Sequence, residues 1–233
     1  MRSAVVAFVI AFFVIVMFGG MLARGVRMIC SSSSHFSDGR AGVSEEKSLS
    51  PTVGTFHIVH SNGPINVVIK PGSTPSLTFQ ARADVLPFLT SEVVDGVLTI
   101  GMNDHGPREI GEVSATIVTP TIDGVTLNGS GNVEVQGVKA TDFVGMINGS
   151  GNLTAAGAAD SATFSVEGSG NIDANELVSA NVKVSIAGSG NADVNANKKL
   201  DATIAGSGDI HYTGNPGDLH RMVAGSGTVG PAD

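Results

Sequence analysis

The tripeptide Gly-Ser-Gly occurs six times in the second half of the chain, and its regular spacing limits the possible folds more than any other feature. Successive copies begin 20, 19, 20, 18 and 19 residues apart. They begin at Gly129, Gly149, Gly168, Gly188, Gly206 and Gly225. A period of about 19 residues with one turn per copy is typical of a solenoid, in which each coil buries its inner side chains against its neighbours.

Two columns of apolar residues keep a constant distance from these turns. One lies two residues before the first glycine: Leu127, Ile147, Val166, Ile186, Ile204 and Val223. The other lies two residues after the last glycine: Val133, Leu153, Ile172, Ala192, Ile210 and Val229. Because side chains alternate between the two faces of a strand, the pattern predicts strand–turn–strand units with both columns pointing inward. The predicted interior is narrow and dry.

The turns are predicted to depend on glycine and asparagine. Glycine adopts a positive φ at no steric cost, and without a Cβ it lets successive turns stack closely. An asparagine follows the second glycine in four copies, so coils about 4.8 Å apart would stack these amides into a ladder. The predicted structural turn residues are Gly129, Gly131, Asn132, Gly149, Gly151, Asn152, Gly168, Gly170, Asn171, Gly188, Gly190, Asn191, Gly206, Gly208, Asp209, Gly225 and Gly227.

The segment from Thr52 to Thr119 also predicts strands, because short runs rich in β-branched residues alternate with turn residues. Asp95-Gly96 stands between two apolar runs and predicts a hairpin whose two turn residues both have a positive φ. The fold class is therefore all-β. The domain is predicted to span residues 51–233, with the Gly-Ser-Gly repeats at 124–230.

The N-terminal region carries a targeting signal. Ala4–Ala23 is an uncharged apolar run of 20 residues, long enough as a helix to span a membrane. Three alternatives stay open: an uncleaved anchor, a signal peptide cut before Val26, or a lipoprotein signal with Cys30 lipidated. Residues 1–29 are thus predicted to be a signal peptide or transmembrane anchor, and residues 30–50 a flexible polar linker. Each alternative places the body outside the cytoplasm.

Three stretches, together with the repeats, resemble a known bacterial family. They are GPINVVIK (63–70), DVLPFLTSEVVDGVLTI (84–100) and KLDATIAGSGDIHYTGNP (199–216). Over about residues 51–230 the chain is similar to the putative auto-transporter adhesin, head GIN domain family. The resemblance implies a right-handed parallel β-helix, export, frequent lipid anchoring and an adhesive role without established catalytic residues. Ile29 and Arg27 depart from the pattern that lipidation of Cys30 requires.

Several classes of site are excluded by the residues themselves. No lysine follows any Gly-Ser-Gly and a strand is predicted after each one, unlike the nucleotide-binding loops that open a helix. The residues after position 30 carry all 21 acidic side chains and ten of the 13 basic ones, which argues against nucleic acid. The single cysteine excludes an internal disulfide. No cofactor is predicted.

One outward column holds the best candidates for catalysis or cation binding. Three residues after the last glycine stand Glu134, Thr154, Asp173, Asp193 and His211. If the register holds, Asp173 and Asp193 lie on adjacent coils with His211 beyond them, and two close carboxylates attract a cation or raise one pKa. The alternative is that these are solubilising side chains. His57 and His60 face opposite sides of a strand and do not predict a shared metal.

Two functional hypotheses follow. The first is an exported, membrane-tethered module that binds, adheres or supports the envelope, with envelope or extracellular glycans or proteins as partners. Its basis is the anchor, the linker and a repeat body without a catalytic constellation. The second is a polysaccharide-processing enzyme on the same scaffold, based on Asp173 and Asp193.

Overall fold

A computed structural model describes residues 45–103 and 106–232, which form an all-β parallel solenoid of about five turns. Within these residues there is one 3-10 helix, Leu86–Phe88, and no α-helix, so none that could span a membrane. Residues 1–29, predicted to be the anchor or signal, lie outside the described part.

The strands are β1 Glu46–Leu49, β2 Ile58–Asn62, β3 Asn66–Pro71, β4 Ser76–Arg82, β5 Leu89–Val94, β6 Val97–Met102, β7 Ser114–Thr119, β8 Gly124–Gly129, β9 Asn132–Gly149, β10 Asn152–Gly168, β11 Asn171–Gly188, β12 Ala192–Gly206, β13 Ile210–Thr213, β14 Asp218–Gly225 and β15 Val229–Pro231.

The long strands show how one coil is built. We call the strand segments that enter a Gly-Ser-Gly turn the leading face, and those that leave it the trailing face. Strand β10 begins on the trailing face at Asn152, shifts register between Ala155 and Gly157, and ends on the leading face at Gly168. Its neighbours β9 and β11 pair with it in parallel along almost its whole length. The chain therefore climbs one strand spacing per coil.

The spatial order of the first coils differs from their order in the sequence. On the leading face β2 lies between β6 and β8, and on the trailing face β3 lies between β7 and β9. The turn from Asn62 to Asn66 consequently stacks directly under the turn from Asn128 to Asn132, with the Gly63 N–H donating to the Asn128 carbonyl at 2.7 Å. This seventh turn has the sequence NGPIN, which lacks Gly-Ser-Gly.

The interior is packed with the predicted apolar columns. Leu127, Ile147, Val166, Ile186 and Ile204 are all at most 1% exposed. Val223, the next residue of that column, is 42% exposed because β14 pairs with β12 and with no other described strand. Gly145 leaves room for the ring of Phe164, since a Cβ on Gly145 would lie 2.8 Å from Phe164 Cδ1. The prediction of an interior filled by apolar side chains is confirmed for these coils.

Antiparallel strands cover the end of the solenoid nearest the N-terminus. Strand β4 pairs antiparallel with β7, and β1 pairs antiparallel with β4. Strand β1 lies inside residues 30–50, predicted as linker; its Leu49 pairs with Phe79 and packs against the core. The predicted hairpin joins β5 to β6, and its turn residues Asp95 and Gly96 have φ values of 50° and 78°.

The solenoid body contains its own core. The described residues all belong to one compact unit, Gly39–Asp233. The buried apolar cluster runs from Phe56 to Ile210, and all its members belong to this unit. Because its strands pair with one another and its core is complete, this unit is expected to fold without the residues that precede it.

Ser61 is a polar residue in an apolar inner column. It is 0% exposed, pairs with Ile100 on one side and Leu127 on the other, and its Oγ has no hydrogen-bond partner. A buried, unpaired hydroxyl destabilises a fold, so Ser61→Ala is expected to raise the free energy of unfolding by about 1 kcal/mol. Denaturant titration measures this, with Ser165→Ala on the outer surface as the neutral control. A less stable Ser61→Ala protein would contradict the assignment.

Candidate functional surface

The stacked turns form a continuous edge between the leading and trailing faces. Gly188 has a φ of +139°, a conformation that side chains with a Cβ rarely adopt. A Cβ on Gly190 would overlap the carbonyl oxygen of Gly170 in the coil below. From the second Gly-Ser-Gly turn onward, the serine N–H donates to a glycine carbonyl one coil away, as from Ser189 to Gly168 at 2.9 Å. Glycine is therefore required by both conformation and close approach.

The asparagine column forms a hydrogen-bonded ladder along this edge. Asn152 Nδ2 donates to Asn132 Oδ1 at 2.8 Å, and Asn171 Nδ2 donates to Asn152 Oδ1 at 3.0 Å. Asn191 Nδ2 donates to Asn171 Oδ1 at 3.2 Å. The ladder also extends one coil further than expected, because Asn132 Nδ2 donates to Asn66 Oδ1 at 3.1 Å. The amides thereby bond to one another while remaining at the surface.

Asp209 ends the ladder in a way that suits a carboxylate. An ionised carboxylate has no hydrogen to donate, so the contact with Asn191 is made by the backbone N–H of Asp209, which donates to Asn191 Oδ1 at 2.9 Å. Its Oδ1 instead accepts from the Thr228 hydroxyl at 2.6 Å and from the Thr228 N–H at 2.7 Å. The hydrogen bond from the Thr228 hydroxyl has the largest effect and the one from the Thr228 N–H the next largest, and both hold the pKa of Asp209 below its ordinary value.

A second asparagine ladder lies on the leading face, just before the turns. Asn128 Nδ2 donates to Asn62 Oδ1, and Asn148 Nδ2 donates to Asn128 Oδ1, both at 2.8 Å. This ladder was not predicted, although its signal is the asparagine that precedes the first glycine in NGPIN and in the first two NGSGN copies. It ends where Glu167 takes the next position.

The trailing face carries the candidate catalytic row in the expected register. Thr154 pairs with Glu134 and with Asp173, Asp173 pairs with Asp193, and Asp193 pairs with His211. His211 Nδ1 lies 3.2 Å from Asp193 Oδ1. Asp173 Oδ1 accepts from the N–H of Asn175 at 3.3 Å. The structure thus brings together the carboxylates and the imidazole that the spacing singles out.

The surroundings of this row are open. A shallow, solvent-exposed depression beside it is lined by Asp193, His211 and Thr228 together with residues 229–232. The side chains of Asp193 and His211 are 39% and 46% exposed. Among the described residues no three histidine, cysteine or acidic side chains converge as metal ligands. The geometry offers exposed polar groups in a line, which suits contact with an extended partner.

Comparison with known proteins identifies a family that matches this chain. The family model "Putative auto-transporter adhesin, head GIN domain" matches residues 55–216. The chain belongs to this family. No protein of curated function matches it.

Solved structures share the fold of this head GIN domain. The crystal structure of a putative adhesin from Bacteroides fragilis is 21% identical, with a TM-score of 0.66 over 81% of this chain and 97% of that chain. A putative adhesin from Parabacteroides distasonis is 21% identical, with a TM-score of 0.53 and the same coverage. A structure named a putative lipid binding protein, from the same organism, has a TM-score of 0.50, 21% identity and again the same coverage.

The two histidines near the start of the head GIN domain lie in different surroundings. His60 is half-buried between Thr99 and Thr126 on the leading face, and burial lowers its pKa. The ring of His57 lies against Gly96 in the hairpin turn. Neither belongs to a group of side chains that could hold a metal within the described residues.

Proposed function

We propose that this head GIN domain is a non-catalytic binding module of the cell envelope, with an adhesive or envelope-structural role. The observation that carries the proposal is the contrast between its two sides. The inner columns are filled by apolar side chains, whereas the outer columns present aligned amide, hydroxyl and carboxylate groups on open faces. The partners that such surfaces suit are extended ones, such as envelope or extracellular glycans and proteins.

The regular spacing of the outer groups supports binding along the solenoid axis. Rows such as Thr154, Asp173 and Asp193 repeat at the strand spacing, about 4.8 Å. A linear polymer laid along such a row meets one polar group per coil. Many weak, evenly spaced contacts then add up, as in other solenoids with long binding surfaces.

Export and tethering through the N-terminal region belong to the same proposal. Ala4–Ala23 is long and apolar enough to act as an anchor or a signal, and it lies outside the described residues. The right-handed winding that the family implies is also part of the proposal, since parallel crossovers are right-handed in about 98% of cases. Intact mass of the protein extracted from membranes distinguishes an uncleaved anchor from a cut before Val26 and from lipidation at Cys30.

Binding is tested with the unit Gly39–Asp233 on panels of envelope glycans, bacterial surface fractions and lipid vesicles. Vesicles are included because one structural neighbour is named a lipid binding protein. The proposal expects retention of one class of surface, and loss of that retention when Thr154 and Asp173 become arginine. A matched variant carries arginine at Ser165 and Ser185 on the leading face, and the pair of changes that abolishes retention identifies the face that binds. Retention unaffected by either pair would contradict binding through these outer faces.

A polysaccharide-processing enzyme is the second candidate, favoured by the stacking of Asp173 on Asp193 and by the contact of Asp193 with His211. Paired carboxylates cleave glycosidic bonds when they flank the bond in a shaped site. Here the row lies on an open face beside a shallow depression. Depolymerisation of a polysaccharide that is lost in Asp173→Asn would favour the enzyme; activity that persists in the Asp173→Asn/Asp193→Asn protein would exclude these carboxylates from catalysis.

A further inference from the structure

A shallow depression lies on the trailing face where β3, β9 and β10 run side by side. Its volume is about 320 Å³, near the lower end of the range of roughly 300–1,000 Å³ that small-molecule sites occupy. The outward-facing residues that line it are Asn66, Val68, Asn132, Glu134, Asn152 and Thr154. Each of the three strands pairs with a neighbour on both sides, so the depression belongs to the continuous sheet.

The asparagine ladder forms one wall of the depression and has hydrogen-bonding capacity left over. Each amide nitrogen carries two hydrogens, and a rung of the ladder uses one of them. Asn132 Nδ2 donates to Asn66 Oδ1 at 3.1 Å, and Asn152 Nδ2 donates to Asn132 Oδ1 at 2.8 Å. Asn132 and Asn152 therefore each keep one N–H without an acceptor among the described residues, and these donors repeat at the strand spacing of about 4.8 Å.

The other wall combines a carboxylate, a hydroxyl and an apolar side chain. Val68 pairs with Glu134, and Glu134 pairs with Thr154, so the three side chains lie next to one another on adjacent strands. Gln136 Nε2 donates to Glu134 Oε1 at 2.6 Å, which orients the carboxylate and leaves Oε2 without a donor from the described residues. Val68 is half-buried and adds an apolar surface beside these polar groups.

These groups restrict the chemistry of a ligand. The backbone groups of β3 and β9 pair with neighbouring strands, so an extended peptide cannot add to them and recognition depends on side chains. Among the described residues no lysine or arginine lines the depression and none forms an ion pair with Glu134, which disfavours an anionic ligand. A hydroxyl both donates and accepts, so neighbouring hydroxyls of a sugar match amide N–H groups on one wall and a carboxylate oxygen on the other.

We propose that this depression is a subsite for one neutral, hydroxyl-rich sugar unit of a glycan. The inference rests on the proposed function and names the class of partner and the position where one unit binds. Glu134 accepts from the sugar hydroxyls, Asn132 and Asn152 donate to them, and the C–H groups of the ring contact Val68. Because the site is shallow, one unit binds weakly, and a polymer gains affinity from further contacts along the same face.

Changes in the amide resonances of the isotope-labelled unit Gly39–Asp233 on addition of free sugars test the subsite. The probes are glucose, galactose, mannose and N-acetylglucosamine, with glucosamine and glucuronate as cationic and anionic counterparts of glucose. At least one neutral sugar is expected to shift the backbone resonances of Val68, Glu134 and Thr154 and the side-chain amides of Asn132 and Asn152. Glucuronate is expected to leave them unchanged, because Glu134 repels it.

Two conservative variants and one matched control separate the subsite from a general effect of mutation. Glu134→Gln keeps the shape of the side chain and removes its charge, and it should raise the dissociation constant of the sugar about tenfold or more. Thr154→Val removes only the hydroxyl and should cause a smaller increase. Glu167→Gln makes the same change as Glu134→Gln at an exposed position on the leading face and should bind as wild type does. The same spectra show whether each variant is folded.

Shifts at the named positions, with weaker binding in Glu134→Gln and unchanged binding in Glu167→Gln, support the subsite. It would be overturned by wild-type affinity in both Glu134→Gln and Thr154→Val, or by the absence of shifts in the depression with every neutral sugar. Binding of glucosamine alone would also overturn it, since that result indicates a cation site.

Retention of polysaccharides by the same unit is measured separately, so that the two proposals fail in different ways. A polysaccharide that is retained while no sugar shifts resonances in the depression removes the subsite and leaves the proposed function in place. A unit that retains no polysaccharide, protein or vesicle surface contradicts the proposed function itself, whatever the free sugars do.

Discussion

Replacing Ile204 by aspartate is expected to lower the free energy of unfolding by roughly 4 kcal/mol or more, because a carboxylate without a partner would be buried. Ile204 is 0% exposed and lies between Ile186 and Val223 in the inner column. A solenoid coil depends on its immediate neighbours, so β12 and the strands that follow should lose amide protection first. Denaturant titration and hydrogen exchange measure the two effects.

Thr203→Asp is the matched control for this change. Thr203 is the preceding residue of the same strand, it is exposed, and its side chain points outward. Substitutions at such surface positions usually change stability by less than about 0.5 kcal/mol. Equal losses of stability in Ile204→Asp and Thr203→Asp would show that the assignment of inner and outer columns is wrong.

Replacing Gly190 by alanine is expected to cost roughly 3 kcal/mol, because the added methyl group overfills a packed position. The new Cβ would overlap the carbonyl oxygen of Gly170 and lie 2.9 Å from Val166 Cγ1. Since the first of these atoms is backbone, the turns would have to move apart, which also stretches the neighbouring rung between Asn171 and Asn191. The midpoint of thermal unfolding should fall accordingly.

Gly217→Ala distinguishes crowding from a general effect of replacing glycine. Gly217 has no atom within 4 Å of an added Cβ, and its φ is not in the positive region. Alanine there should leave the midpoint unchanged or raise it slightly, because it restricts the unfolded chain. If Gly190→Ala is as stable as Gly217→Ala, the glycine requirement at the stacked turns is wrong.

The repeated half of the fold could be predicted from the sequence because its information is local. Each copy places one apolar residue two positions before the turn and another two positions after it, as with Ile204 and Ile210. Both residues are 0% exposed in the structure. The pairing of Asp173 with Asp193 follows from the same alignment. The Asp95-Gly96 hairpin is equally local, because its turn needs two residues that tolerate a positive φ.

The first coils could not be placed from the sequence, because their pairing is non-local. The turn from Asn62 to Asn66 lies 66 residues before its hydrogen-bonded partners, and β2 and β3 insert between strands that come later in the chain. Pro64 and Ile65 replace the serine and glycine that mark the other turns. The exposure of Val223 in β14 was also not predicted, since it depends on which strands lie beside β14 rather than on the residues in it.

The most direct test of the proposed function is to measure retention and chain length of a bound polysaccharide on the same sample. The unit Gly39–Asp233 is immobilised, polysaccharides from the envelope panel are passed over it, and the retained material is sized after elution. A non-catalytic binding module predicts a retained class whose chain length is unchanged by contact with the protein. The binding proposal would be contradicted if the polysaccharide is shortened by contact with the wild-type protein but keeps its full length after contact with the Asp173→Asn/Asp193→Asn protein.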